Sequence, residues 1–538
     1  MEFLTDYVKK AISKTNEKKR KRQIIIACIA GVLLVGLISI NLFNPKDKFP
    51  DYTSDCSSYG KMPLLFNKSY DKILHDIDYK LEVVNKLSGA VRVPTVVYDS
   101  YGQPDLNTSL AEDKEYSEFQ KFHDYLEKEF PLVHKHLKKE IVNKVGLVYT
   151  WTPDVETDEK PLLLMAHQDV VPVEPSTLDK WSYPPFEGHY DDLTGKIYGR
   201  GALDTKLFLI AQFATVELLL KEKYELKKPL IMAYGFDEEK GGDFGAKFIA
   251  DFLLERYGKD GIEALFDEGE GVVQLDESTF IASPGVAEMG YCDVYIELDT
   301  PGGHSSAPNH WDIETTGIGI ISEINHYITL DQFQTSVSTN NPVLSFLQCN
   351  AKFNPESLDP AVLKATTQSM DVIKGGIKSN AMPENVVDVI NHRIDIQSSV
   401  NETVWHDLKH VMDAAEKYDL GVTVDWRNTG KEPVSTIPYD DFYDMVASTV
   451  VSVYNDPLFA GDSGKDVEVL FEGTMSPGNT DSVYYALNNL VNGRVYRFSG
   501  NLVEAANAHT VDEWCTDKSL LTSHAFIYSL IVNFNEAY

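Results

Sequence analysis

The chain has 538 residues, 43% hydrophobic and 24% charged, a folded-protein composition too long for one compact core. A formal charge of -33 excludes the basic, counterion-releasing surface that nucleic acid binding requires. Five cysteines are too few for a disulfide-built scaffold and none has C-x-x-C spacing; Cys56, Cys292, Cys349 and Cys515 could form two bridges or stay as buried thiols.

In chain order, the first feature is a basic block, Lys18, Lys19, Arg20, Lys21 and Arg22, directly before an apolar stretch at 23–43. Roughly 20 residues at about 1.5 Å each cross a hydrocarbon core of about 30 Å, so this segment is long enough to span a bilayer. No small-residue cleavage site follows it, so an uncleaved signal anchor is expected. The basic side stays cytosolic, which makes 1–22 a cytosolic tail and places the rest in the lumen of the secretory route. Three sequons, at Asn67, Asn107 and Asn401, fall on that side as candidate glycosylation sites. The Pro-, Asp-, Ser- and Lys-rich stretch 44–69 reads as a stalk.

Folded sequence is expected from Tyr70. Phe119, Phe122 and Leu126 recur at helical spacing, in a charged region where His123, His134 and His136 read as solvated. A strand follows at 146–151. Continuous apolar runs at 162–166 and 229–236 read as strands buried on both faces, with a short strand at 264–266. Leu207, Ile210, Ala211, Ala214 and Leu218 mark a helix with one apolar face, and another helix is expected near 246–256. This alternation gives an α/β sandwich on a largely parallel sheet over 70–286. Strands at 292–298, 386–396 and 422–426, with helices at 313–328 and 404–417, predict an inserted α+β domain of ferredoxin-like order over 287–430. The interval 330–378 fits that plan poorly and reads as an insertion. The first domain resumes over 431–538 with a helix near 441–454, a strand at 494–498 and a helix at 518–533.

Metal-seeking side chains sit at the ends of the apolar strands: His167 and Asp169 in AHQD, Asp204 in GRGALD, Glu238 and Glu239 in FDEE, and Asp267 in FDEG. His509 joins them from AHTVD. Loops at the carboxyl ends of parallel strands converge on one crevice, so ligands scattered in sequence can share one site. Imidazole and carboxylate donors suit Zn²⁺, and the absence of cysteine argues against a structural zinc site. His167 and Asp169, two residues apart on an extended chain, point the same way, which casts Asp169 as the group orienting the imidazole. Adjacent glutamates point apart, so one of Glu238 and Glu239 can bind metal while the other takes a proton from water.

The segments HQDVVPV, GRGALDTK, FDEEKGG, DEGEG, PGGHSS and the late histidine resemble the di-zinc aminoacylase and carboxypeptidase family, over nearly everything from Tyr70 onward. The resemblance implies two Zn²⁺ per subunit: His167 and Asp267 on one, Glu239 and His509 on the other, Asp204 bridging. It implies Glu238 as general base and Asp169 as orienter, both counted as catalytic, and a cis peptide at Asp204–Thr205. It also implies substrate contacts from His304, Asn380 and Arg393 in the inserted lid domain, and from Thr480 in GNTDS. The activity it implies is hydrolysis of C-terminal residues from short peptides with glycine in the penultimate position. A single-pass vacuolar protein and a homodimer through the lid complete that expectation. The rival readings are an N-acyl amino acid hydrolase using the same amide chemistry, and an inactive membrane-anchored binding or sorting protein. The second predicts a damaged ligand set, whereas every position here carries a competent ligand type.

Overall fold

The computed structural model describes residues 59–306, 316–333, 366–418, 421–425, 430–435, 440–460, 466–476 and 478–538. The tail, the apolar stretch 23–43 and most of the stalk lie outside these. Among the described residues no helix is long and apolar enough to cross a membrane.

The apolar run at 162–166 forms the strand Leu162–His167, buried along its whole length. Alternation divides it between two cores, Leu162, Leu164 and Ala166 facing one apolar cluster and Leu163 and Met165 the other. Leu230–Gly235 runs parallel beside it and divides the same way. On its other side Ala264–Gln274 and then Val495–Leu502 continue the parallel run. Antiparallel strands extend both ends, Gly146–Trp151 and Lys138–Val142 at one, Gly285–Glu288 and Val434–Ser435 at the other, within an 11-stranded sheet. Helices Ile77–Val91, Lys206–Lys221, Asp441–Tyr454 and Asp517–Glu536 cover one face, and Ala246–Tyr257 with Ser482–Leu487 the other. The helix expected to have one apolar face, Lys206–Lys221, is instead buried almost all round, because it lies between the sheet and the helix Asp517–Glu536.

Between Glu288 and Lys431 the chain builds a separate four-stranded antiparallel sheet, in the order Ser369–Gly375, Asn385–Ile394, Gly290–Asp299, Gly421–Asp425. Helices Gly317–Leu330 and Val400–Tyr418 pack on one face of it around Val294, Ile296, Ile321, Ile390 and Val404. The expected insertion within 330–378 falls mostly outside the described residues.

Three local expectations change. The short strand at 264–266 runs on to Gln274. The stalk, where described, lies on the large domain: Met62 N–H donates to Ser452 Oγ at 2.7 Å, and the Tyr59 ring meets Tyr443 and Phe471 edge-on. His123 is buried, not solvated, with Nε2 2.8 Å from Gln168 Oε1; His134 bonds the Tyr149 hydroxyl, and only His136 is exposed. Cys292 and Cys515 are free, buried thiols. Asn67, Asn107 and Asn401 are all exposed.

Candidate metal centre

His167 ends its strand opposite Gly235, so the loops that follow both strands start side by side. After Gly235 the chain turns through a short 3-10 segment, Glu238–Lys240. The buried Asp169 carboxylate stands over the start of that turn, accepting the Glu238 N–H at 3.2 Å on one oxygen and the Glu239 N–H at 3.1 Å on the other. His167 Nδ1 faces the same residue, 2.9 Å from its carbonyl and 3.3 Å from its carboxylate. Asp169 therefore fixes both the imidazole and the glutamate turn, which pins the tautomer and leaves Nε2 free to face the crevice.

His167 Nε2 lies 3.1 Å from Asp204 Oδ1 and 3.3 Å from Glu268 Oε1. His509 Nε2 lies 3.0 Å from Asp204 Oδ2 and 3.0 Å from Glu239 Oε2. Asp204 thus turns one oxygen to each imidazole. The peptide Asp204–Thr205 is cis. Two groups of ligand atoms result, His167 with Asp204 and Glu239, and His167 with Glu238 and Glu268, each within 4.8 Å of one another.

Glu268 was missed by the sequence reading, which assigned the neighbouring Asp267. Arg497 pairs with Asp267 and Phe498 with Glu270, so Glu268 and Gly269 are extra residues that bulge from the ladder. Gly269 takes φ +150°, and a Cβ there would lie 2.6 Å from the Arg497 carbonyl. The bulge carries the Glu268 carboxylate to His167. Asp267 instead points into the body, where its carboxylate accepts the N–H groups of Glu268 and Ser482, each at 2.9 Å. Only the second acidic letter of DEGEG, followed by the glycine a bulge needs, could have signalled this.

A strap from the C-terminal loop holds the bridging residue. Glu513, fully buried, accepts Arg200 Nη1 at 2.5 Å and the N–H groups of Gly201, Leu203 and Asp204 at 3.0, 3.0 and 3.1 Å. Arg200 in turn donates to the Thr510 carbonyl at 3.3 Å. His509 between them has φ +62°, a left-handed conformation that His tolerates better than most side chains, in a tight loop closed by Thr510 N–H to the Asn507 carbonyl. Neither Glu513 nor Arg200 carried a sequence signal for this role.

The electrostatics are those of a cation site. Burial and then Glu268 push Glu238 well above the carboxylate range, and burial raises Glu239 and Asp267 to about 7 each. His509 is raised to about 10 by its bonds to Asp204 and Glu239. Burial opposes a charged His167, yet Glu268, Asp169 and Asp204 outweigh it and hold its pKa well above the usual value. Among the described residues every ion pair of Asp204, Glu239 and Glu268 is with His167 or His509, none with Lys or Arg. Glu239 Oε1 is buried without a hydrogen-bond partner. Clustered acids, an orphaned carboxylate oxygen and two imidazole nitrogens facing one bridging carboxylate fit divalent cations.

The residues expected to contact substrate lie apart from this cluster. Thr480 N–H donates to Glu288 and its hydroxyl sits 2.7 Å from Ser482 Oγ, the residue whose N–H holds Asp267. Arg393 donates to Asn479 Oδ1 at 3.0 Å and lies over the Tyr291 ring. His304 and Asn380 lie together at an exposed two-stranded antiparallel ladder, Gly303–His304 beside Ala381–Met382, where Ser305 N–H donates to the Asn380 carbonyl at 3.2 Å. Among the described residues neither has a hydrogen bond to the acidic cluster.

A mixed sheet whose parallel central strands end in loops that gather imidazoles and carboxylates around a bridging Asp defines the metallohydrolase class. A model of peptidase family M20/M25/M40 matches residues 163–533. Carboxypeptidase S of Saccharomyces cerevisiae is 37% identical over 91% of this chain and 90% of its own, and a putative carboxypeptidase of the same yeast is 37% identical over 94% of both. The human N-fatty-acyl-amino acid synthase/hydrolase is 29% identical over 94% of this chain and 96% of its own. In structure, the M20 family metallo-carboxypeptidase Sso-CP2 of Sulfolobus solfataricus shares the fold at TM-score 0.60 and 15% identity, covering 84% of this chain and 99% of its own. The dinuclear metal binding peptidase YXEP of Bacillus subtilis does so at TM-score 0.53 and 13% identity, covering 86% and 100%. The chain belongs to peptidase family M20/M25/M40, and its enzyme class is metallocarboxypeptidase.

Proposed function

We propose that the chain is a di-zinc carboxypeptidase that removes the C-terminal residue from short peptides with glycine in the penultimate position. The observation that carries this reading is the Asp204 carboxylate, one oxygen toward His167 and the other toward His509. His167 and Glu268 would hold one cation, with Glu268 in place of the expected Asp267, and His509 and Glu239 the other. Bound there, the cations supply Lewis acidity for the scissile carbonyl and lower the pKa of the attacking water.

The chain's own residues do the rest. Glu238 offers a carboxylate oxygen within 4.8 Å of the His167 and Glu268 ligand atoms, placed to take the water's proton and return it to the departing amine. Asp169 keeps that glutamate in reach by holding its N–H. Arg393, at the junction of the two sheets, supplies the positive charge for the substrate's terminal carboxylate, with His304, Asn380 and Thr480 as further contacts. The inserted domain acts as a lid that orients the substrate.

The second reading, hydrolysis of N-acyl amino acids, is favoured by the human relative, whose likeness spans nearly the whole chain. A panel of blocked Gly-Leu peptides and N-acyl amino acids, run with metal analysis on the full-length protein, separates the two. Faster cleavage of the peptides, with two zinc equivalents bound, is expected. A strong preference for N-acyl amino acids would transfer the assignment to the second reading, and fewer than two metal equivalents would remove the dinuclear mechanism.

The expected setting is a vacuolar membrane, with one N-terminal span, a luminal catalytic body and a homodimer through the lid. The basic block before 23–43 and three exposed sequons support this topology. Glycosidase treatment should shift the mobility of the mature protein, and alkaline extraction should leave it with the membrane.

A further inference from the structure

The inserted domain joins the catalytic sheet through two crossings. The outgoing one runs from Glu288 to Tyr291. Glu288 accepts the Thr480 N–H and Asn479 Nδ2 on one oxygen, each at 2.9 Å, and Arg497 Nε on the other at 2.6 Å. The returning crossing is centred on Lys431, whose backbone N–H and carbonyl pair with those of Tyr291 at 2.7 and 2.9 Å. Main-chain pairing makes the two crossings one short hinge.

The Lys431 side chain leaves that hinge for the catalytic loops. Its ammonium lies 4.8 Å from the centre of the Tyr484 ring and donates to the Gly241 carbonyl at 2.5 Å. The Tyr484 hydroxyl lies 2.7 Å from the same carbonyl and 2.7 Å from Asp243 Oδ1, two acceptors for its single proton. Gly241 closes the turn that carries Glu238 and Glu239: its N–H donates to the Glu238 carbonyl at 2.7 Å, and it takes φ +106°, which only glycine adopts readily. The turn is therefore held at both ends, by Asp169 at its start and by a residue of the hinge at its finish.

We propose that Lys431 is a positioning residue that ties the hinge of the inserted domain to the Glu238–Glu239 turn, so that rotation of the domain about its crossings sets where Glu238 sits. This rests on the reading of Glu238 as the base. Other contacts between the domain and the sheet do not replace the tie: Arg393 reaches Asn479, and Glu288 reaches Thr480 and Arg497, none of which lies on that turn.

The test compares K431M and K431R in the full-length, metal-loaded protein. Methionine keeps an apolar stem over Tyr484 and removes the donor; arginine keeps a charged donor. K431M should lower kcat at least about tenfold while KM stays within about twofold, as a displaced base would. Its bound metal should equal that of the wild type, and amides 241–245 should exchange with deuterium faster. K431R should restore most of both readouts. Wild-type kcat and wild-type exchange in K431M would overturn the proposal, and so would a kcat loss accompanied by metal loss. If K431M does not fold, K431A provides the second measurement: a kcat loss with retained metal and faster exchange at 241–245 supports the tie, and unchanged values refute it. A wild-type protein that cleaves no substrate of the panel defeats the reading of function instead, and the exchange comparison still decides whether Lys431 holds the turn.

Discussion

Asp204 gives the site its two poles, and the residues around it divide into those that would touch cations and those that hold them. Glu238→Gln should retain bound metal and lose at least about a hundredfold in kcat, the general-base contribution, measured by steady-state turnover beside metal analysis. The bulge separates two neighbouring carboxylates by role. Glu268→Ala should lose one bound cation, whereas Asp267→Asn should keep both and lose about 1–3 kcal/mol of stability, because an amide cannot accept from both the Glu268 and Ser482 N–H groups. Metal stoichiometry of the two variants checks this, and the reverse pattern would restore Asp267 as the ligand. His167, Asp169, Asp204, Glu238 and Glu239 each close an apolar run or a glycine-rich turn, which is what marked them in the sequence; His509, in AHTVD, has no such signal and was expected from its position and the family resemblance. Glu268 was not, since a bulge is a property of two strands and only one of them, Ala264–Gln274, carries the letters DEGEG.

At the scale of elements, the site depends on pieces far apart in sequence locking onto one another. The loop bearing His509 and the loop bearing Asp204 are joined by the buried pair Arg200 and Glu513. Glu513→Gln strands the guanidinium without its counter-charge, and breaking such a pair costs about 3–5 kcal/mol. That variant should melt earlier than the wild type and bind metal more weakly, as thermal unfolding with and without added zinc would record; an unchanged midpoint would show the strap to be dispensable. Strand positions were well anticipated, because continuous apolar runs at 162–166 and 229–236 have no other economical fold in an α/β sheet. The helix Lys206–Lys221 was read as half-exposed because its sequence shows an apolar stripe; what covers its remaining sides is the helix Asp517–Glu536, which no local pattern announces. His123 misled for the same reason: its charged neighbours in sequence say nothing of Gln168, which accepts it in the core.

For the whole molecule, buried ionisable groups set opposing pH responses. Burial lowers His123 to about 4 and His524 to about 3, below the ordinary 6.5. Both are neutral when folded and take up protons on unfolding, so their contribution is complete above 6.5 and is lost as pH falls through the folded values. Asp388, in the inserted sheet, runs the other way: burial raises it to about 6 from 3.8, so its charged form costs stability at higher pH and the cost disappears as pH falls toward 3.8. Asp388→Asn should therefore raise the melting temperature above pH 6, by at most about 3 kcal/mol in free energy, and leave it nearly unchanged close to pH 4; a uniform shift across that range would rule out the buried charge as the cause. The division into two sheets was visible in the change of pattern near Glu288. The insertion of the second sheet over 287–430 was expected from the sequence as well; the ladder that joins its two ends was not, and it has a topological consequence. Val434 lies directly opposite Glu288, and Ser435 opposite Ala287, in an antiparallel ladder. The excursion of the chain between them leaves and re-enters through neighbouring residues, so it is a side branch that a two-residue turn could replace with a hairpin. A chain so shortened should still assemble the central sheet and, on the proposed reading, bind metal without turning over substrate; circular dichroism, metal analysis and the peptide panel check this, and loss of metal binding would refute it.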